Sequence, residues 1–190
     1  MKKLLILFLI ITLFAGCQKK EHTEDKSEIS HKVQTAQHLP QKKAKRFILR
    51  DLNGTTFTIE QSQEKFLFQP SKKLTLLFFF TSWCPSCKAQ LIELKEIQKK
   101  FPELAIIGIL LNQPSDAKEF VRKFSIDFFV STSYKTNNEV ASHIYKYVKA
   151  PGNIPVPMMV LLKDGKYFVH YLGAVPYEII ASDIKRAKEK

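Results

Sequence analysis

The feature that most constrains this chain is the run Leu74 to Phe80, seven residues without a single charge. Seven residues is the length of a strand, and a strand that is apolar on both faces must lie between two covering layers. The period then changes. From Pro85 to Phe101, the positions Cys87, Leu91, Leu94, Ile97 and Phe101 form one apolar stripe at helical spacing, with Lys88, Lys95, Glu96, Lys99 and Lys100 mostly on the other side. A second apolar run, Leu104 to Leu111, predicts another buried strand.

Weaker signals continue the alternation. Asp116 to Phe124 reads as a short helix with Phe120, Val121 and Phe124 inward, Phe128 to Val130 as a short strand, and Asn138 to Val148 as a helix. Met158 to Leu162 and Tyr167 to Tyr171 are strands joined by the turn Lys163-Asp164-Gly165-Lys166, and Tyr177 to Lys188 closes the chain with an amphipathic helix. Ahead of all these, Phe47 to Leu49 and Thr55 to Ile59 flank Asn53-Gly54, a strong hairpin signal. The expected class is α/β: a mixed central sheet with flanking helices and an N-terminal β-hairpin.

The first 46 residues have a different character. Lys2 and Lys3 precede an apolar run from Leu4 to Phe14, and its eleven residues are too few to span a bilayer. Ala15-Gly16-Cys17 follows, and the whole resembles a bacterial lipoprotein signal in which Cys17 is lipidated and begins the mature chain. Phe14 stands where that pattern prefers Leu; the alternative is an ordinary cleaved signal with Cys17 left as a free thiol. Residues 1–16 are thus expected to be the signal, 17–46 a polar tether and 47–190 the folded domain. A coil of ~28 residues spans about 30 Å, enough to hold a domain off a membrane. His22, His31 and His38 lie in this tether and read as solvated, because a metal site needs fixed geometry.

The chain holds three cysteines, so assigning Cys17 to a lipid leaves Cys84 and Cys87 as a lone pair. In an oxidising compartment such a pair can form a disulfide, but its loop is too small to staple a domain. Its setting, Phe80-Thr81-Ser82-Trp83-Cys84-Pro85-Ser86-Cys87-Lys88, is a buried strand, a turn and a helix start. Pro85 suits the first helical position, which puts Cys84 at the N-cap. There the free amides and the helix dipole favour thiolate, making Cys84 the nucleophile and Cys87, one turn on, the resolving thiol. Structural zinc would need four ligands; copper(I) held by the two thiols with Met158 or Met159 remains an alternative.

Trp-Cys-x-x-Cys-Lys after an apolar strand resembles the thioredoxin superfamily. The surrounding elements, from Phe47 to Lys188, resemble its TlpA/ResA/CcmG-type extracytoplasmic thiol-disulfide oxidoreductases. The resemblance implies a thioredoxin-like fold that needs no cofactor or metal, and a cis-proline packed against the active disulfide. Among Pro151, Pro155 and Pro157, the register of the following strand selects Pro157. By the same resemblance Trp83, Pro85, Val156 and Pro157 form the substrate surface, with Val156 offering backbone hydrogen bonds.

The chain departs from the pattern of that family, or of thioredoxins proper in the case of the strand acid, at four places. Gln90 stands where many relatives carry Glu, and no acid lies in Thr75 to Phe80, so Glu93 or water is left to take the proton of Cys87. Ile92 replaces a helix-kinking proline, and proline comes first in the Pro-Ser dipeptide, as in glutaredoxins and DsbA. The implied activity is reduction of protein disulfides, with an oxidant or isomerase using the same site as the alternative. The implied partners are protein disulfides, among them the Cys-x-x-Cys haem site of an apocytochrome, and a membrane electron-donor protein. The protein is expected to be monomeric, lipid-anchored and extracytoplasmic. Its formal charge of +12 is dispersed and carries no nucleic-acid motif, and His143 and His170 read as structural.

Overall fold

The structure, a computed structural model, describes residues 44–189. The expected signal, Cys17, the tether histidines and nearly all of the tether lie outside the described residues. Three strands come first: β1 (Lys45–Arg50), β2 (Thr56–Ser62) and β3 (Lys65–Gln69), joined as an antiparallel sheet in the order β1-β2-β3. Then follow β4 (Leu74–Phe80), α1 (Pro85–Lys100), β5 (Leu104–Leu110), α2 (Ala117–Lys123), β6 (Phe129–Ser131), α3 (Tyr134–Tyr147), β7 (Met158–Lys163), β8 (Lys166–Leu172) and α4 (Tyr177–Glu189).

The central sheet has the order β6-β5-β4-β7-β8, with β4, β5 and β6 parallel and β7 and β8 antiparallel to their neighbours. Every residue of β4 is buried, as a strand between two layers requires. Its alternation divides the core. Leu76, Phe78 and Phe80 face the layer built on α1 and α4, where Leu91, Leu94, Ile97, Ile180 and Ile184 pack. Leu77 and Phe79 face the opposite layer, where α3 and the small sheet contribute Val140, Ile144, Phe47, Ile59 and Phe66. Asp183 fastens α4 to β8 by accepting a hydrogen bond from the Tyr171 hydroxyl at 2.6 Å. Burial, reinforced by that carboxylate, raises the Tyr171 pKa beyond the ordinary tyrosine range.

Two differences from the expected elements have local causes. The N-terminal hairpin gains a third strand, β3, in which Phe66 and Phe68 point inward; outward Leu67 blurs the alternation that would have announced it. Helix α3 starts at Tyr134 rather than Asn138. Asn137 and Asn138 look like helix-opening residues, but their side chains bond to carbonyls of Leu110 and Leu111 at the end of β5. Smaller shifts of one to three residues occur at other ends, those of β1 and β2 among them.

The β7–β8 turn takes positive φ at both central residues, Asp164 (49°) and Gly165 (76°), as a two-residue hairpin demands. Gly165 also receives the Phe66 N–H on its carbonyl at 2.8 Å, stitching β3 to this turn. A Cβ there would lie 2.0 Å from the Phe66 oxygen. Gly165→Ala should therefore destabilise the fold by about 2 kcal/mol or more. A urea midpoint equal to wild type would contradict this packing.

Candidate active site

The reactive pair sits where β4 hands over to α1. Pro85 is the first helical residue, and Cys84 is the N-cap, with φ −74° and ψ 117°. Its sulfur accepts a hydrogen bond from the Cys87 N–H at 3.1 Å, and the Ser86 hydroxyl lies 3.2 Å away. Cys84 and Cys87 form a disulfide with a Cα–Cα separation of 5.2 Å. The helix dipole and the free first-turn amides point at the Cys84 sulfur, an arrangement that stabilises a thiolate once the bond is reduced. Cys84 is 3% exposed and Cys87 is fully buried, so a substrate can reach only the first sulfur. The helix start is less open than the sequence suggests: Trp83, Pro85 and Ser86 are exposed around a nearly covered Cys84.

Strand β7 pairs with β4 and brings its N-terminal end beside the pair. The Val156–Pro157 peptide is cis, whereas neither Pro151 nor Pro155 is preceded by a cis bond. The Val156 carbonyl oxygen lies 3.7 Å from the Cys84 sulfur. Gln69–Pro70, far along the small sheet, is a second cis bond that sequence reasoning did not anticipate. Cys84, Cys87, Trp83, Pro85, Val156 and Pro157 are thus brought to one place, while Cys17 falls outside the described residues.

The polar residues behind the pair are arranged differently from expectation. Gln90 is fully buried; its Oε1 accepts from the Val175 N–H at 2.8 Å, and its Nε2 has no hydrogen-bond partner. Glu93 is neither a freely solvated charge nor a neighbour of Cys87. Its carboxylate accepts from the Tyr177 N–H at 3.0 Å and caps α4, and six helical residues put it about 9 Å along the axis from Cys87. Among the described residues no carboxylate hydrogen-bonds to either cysteine. Asn112, which sequence reasoning missed, bonds twice to Ser82, two residues before Cys84. Its one visible signal is its place, the first polar residue after the second apolar run, beside the carboxyl end of a parallel neighbour.

The remaining candidates are packing groups. Met158 is buried in the layer away from the disulfide and Met159 in the layer that holds it, both as core residues of β7. Among the described residues no group of three or more His, Cys, Asp or Glu side chains gathers as a metal site. His143 pairs with Gln61, and burial followed by the charges of Lys45 and Lys146 lowers its pKa. His170 bonds to the Tyr167 hydroxyl at 2.8 Å.

A family model described as the AhpC/TSA family matches residues 40–166, well over half of the chain. The chain belongs to the AhpC/TSA family. The thiol-disulfide oxidoreductase ResA of Bacillus thuringiensis subsp. konkukian is 25% identical to it, across 98% of each chain. A thioredoxin-family thiol:disulfide interchange protein from Chlorobium tepidum superposes with a TM-score of 0.59 at 18% identity, covering 75% of this chain and 92% of that one. StoA from Bacillus subtilis gives a TM-score of 0.52 at 19% identity, covering 74% and 96%. With the Cys84–Cys87 disulfide at the start of α1, the chain is a thiol-disulfide oxidoreductase of the thioredoxin-like type.

Proposed function

We propose that this protein is an extracytoplasmic reductase of protein disulfides, held to a membrane by a lipid on Cys17. The observation that carries the mechanism is the placement of the Cys84 sulfur on a helix N-terminus, 3.7 Å from the carbonyl that precedes cis-Pro157. In the reduced enzyme the Cys84 thiolate attacks one sulfur of a substrate disulfide and expels the other as a thiolate. Cys87 then loses its proton, attacks the Cys84 sulfur and releases the second substrate thiolate. Two electrons pass to the substrate, and the Cys84–Cys87 disulfide re-forms. Trp83, Pro85, Val156 and Pro157 bind the substrate chain around this exchange. A dithiol protein of the membrane restores the reduced state. An apocytochrome Cys-x-x-Cys site is the substrate that the resemblance to cytochrome c maturation proteins favours.

The reduction potential tests the direction. Equilibration of the pair against dithiothreitol buffers should give a value at or below that of thioredoxin, about −270 mV. A value near −120 mV, the DsbA end of the scale, would make the protein an oxidant and overturn the reductase reading.

With Gln90 behind Cys87 and Glu93 engaged with α4, the proton of Cys87 leaves to water. The rate at which substrate oxidises the reduced protein should therefore titrate with the cysteines alone. Gln90→Glu puts a buried carboxyl one turn from Cys87, and burial raises its pKa. The variant should gain a second inflection between about pH 5 and 8, since the group becomes a proton acceptor only as pH rises through its raised pKa. Superimposable stopped-flow profiles would remove Gln90 from the neighbourhood of the chemistry.

A further inference from the structure

Between β4 and α1 the chain has only Thr81, Ser82, Trp83 and Cys84 in which to leave the sheet and enter the helix. The two ends of this link are held by backbone bonds. Phe80 O accepts from the Leu111 N–H at 2.9 Å, and Cys84 O accepts from the Lys88 N–H at 3.2 Å. Among the described residues its middle is held by a single side chain. The Ser82 N–H donates to Asn112 Oδ1 at 2.8 Å, and Asn112 Nδ2 donates to Ser82 Oγ at 2.8 Å. Because a backbone donor requires the amide oxygen, the orientation of the Asn112 amide is settled, and both arms close on one residue.

Asn112 stands on a firm base. The preceding carbonyls of Leu110 and Leu111 accept from Asn137 Nδ2 at 2.7 Å and Asn138 Nδ2 at 3.0 Å. Asn137 is fully buried and also bonds to Ser131, and Asn138 bonds back to Tyr134. The end of β5 is thereby tied to the first turns of α3. Next to the clamped serine stands Trp83, 65% exposed, without a hydrogen bond or ring contact among the described residues. Trp83 is flanked in the link by the clamped Ser82 and the helix-capping Cys84, so the path of these four residues sets where its indole leaves the backbone.

Taking Trp83 as part of the substrate surface, as the reading above does, we propose that Asn112 is a positioning residue that sets substrate preference. By fixing Ser82 it holds the Trp83 indole beside Cys84 as a platform for a polypeptide. The protein therefore discriminates protein disulfides from small ones. A small disulfide reaches the Cys84 sulfur without the platform; a disulfide carried on a chain uses it.

The test compares the rates at which insulin and oxidised glutathione oxidise the pre-reduced full-length protein, with the loss of the Cys84 and Cys87 thiols followed by acid quench, alkylation and the mass of the protein chain. Asn112→Ala should lose about tenfold on insulin and no more than about twofold on glutathione, the size expected when one aromatic anchor loses its place. In a Trp83→Ala background the same substitution should cost nothing further on insulin. Ser82→Ala, which spares the backbone arm, should show a smaller loss with the same selectivity, and it serves if Asn112→Ala does not fold. Equal losses on the two substrates, or additive losses with Trp83→Ala, would overturn the inference while leaving the reductase reading intact. A wild type that reduces neither disulfide would overturn both.

Discussion

Replacing Cys87 with alanine should convert this protein into a trap that accumulates mixed disulfides with its substrates through Cys84. On the proposed mechanism Cys87 resolves the intermediate: among the described residues its sulfur is the one thiol beside Cys84, lying one turn behind it with no exposure of its own. Once it is gone, the bond between Cys84 and the substrate persists until an outside thiol arrives. Cys84→Ala should do the reverse: it leaves only the covered Cys87, traps almost nothing and lowers disulfide exchange by about a thousandfold or more. Non-reducing gels of cells expressing each variant, followed by identification of the trapped chains, check both statements. They would also name the substrates. Trapping by Cys84→Ala at the level of Cys87→Ala would reverse the assigned roles.

The second large effect concerns stability. Phe78 lies at the centre of β4, fully buried, with its ring stacked on Phe80 at a centroid distance of 4.7 Å. Its neighbours in the sheet are Gly108 on β5, which has no side chain to move in, and Met159 on β7, already packed in the same layer. Phe78→Ala should cost about 3–5 kcal/mol through lost transfer energy and the cavity left behind. Against a typical total of about 5–15 kcal/mol, that lowers the melting temperature by roughly 10 °C or more. Calorimetry or a urea titration decides the matter. A loss under about 1 kcal/mol would mean that the layer of α1 and α4 repacks freely around the strand.

Much of the architecture was legible because its signals are local. Seven uncharged residues in β4 admit only a doubly covered strand, and a period that switches at Pro85 admits only a helix. Asp164-Gly165 marks its turn because both positions need positive φ. The elements read with difficulty were those whose polar side chains bond to distant backbone. Asn137 and Asn138 look like the opening of a helix until β5 supplies the carbonyls that hold them inside α3. β3 escaped notice because Leu67 faces outward between two buried phenylalanines.

The candidate site divides along the same line. Cys84, Pro85 and Cys87 could be placed from the sequence by itself, since an N-cap, a first-turn proline and a sulfur one turn later are consequences of helix geometry along one stretch of chain. The choice of Pro157 over its two neighbours needed more: the family resemblance supplied the cis-proline, and the strand that begins at the next residue supplied its register. The tertiary structure alone decided the rest: that Glu93 is engaged by α4 across 84 residues of chain, that Gln90 turns its oxygen to Val175, and that Asn112 clamps Ser82 from the neighbouring strand. The physical reason is range. Periodicity, capping and turn chemistry act within a few residues, whereas the partner of a buried polar group is whichever group packing brings within about 3 Å, and sequence separation says nothing about that.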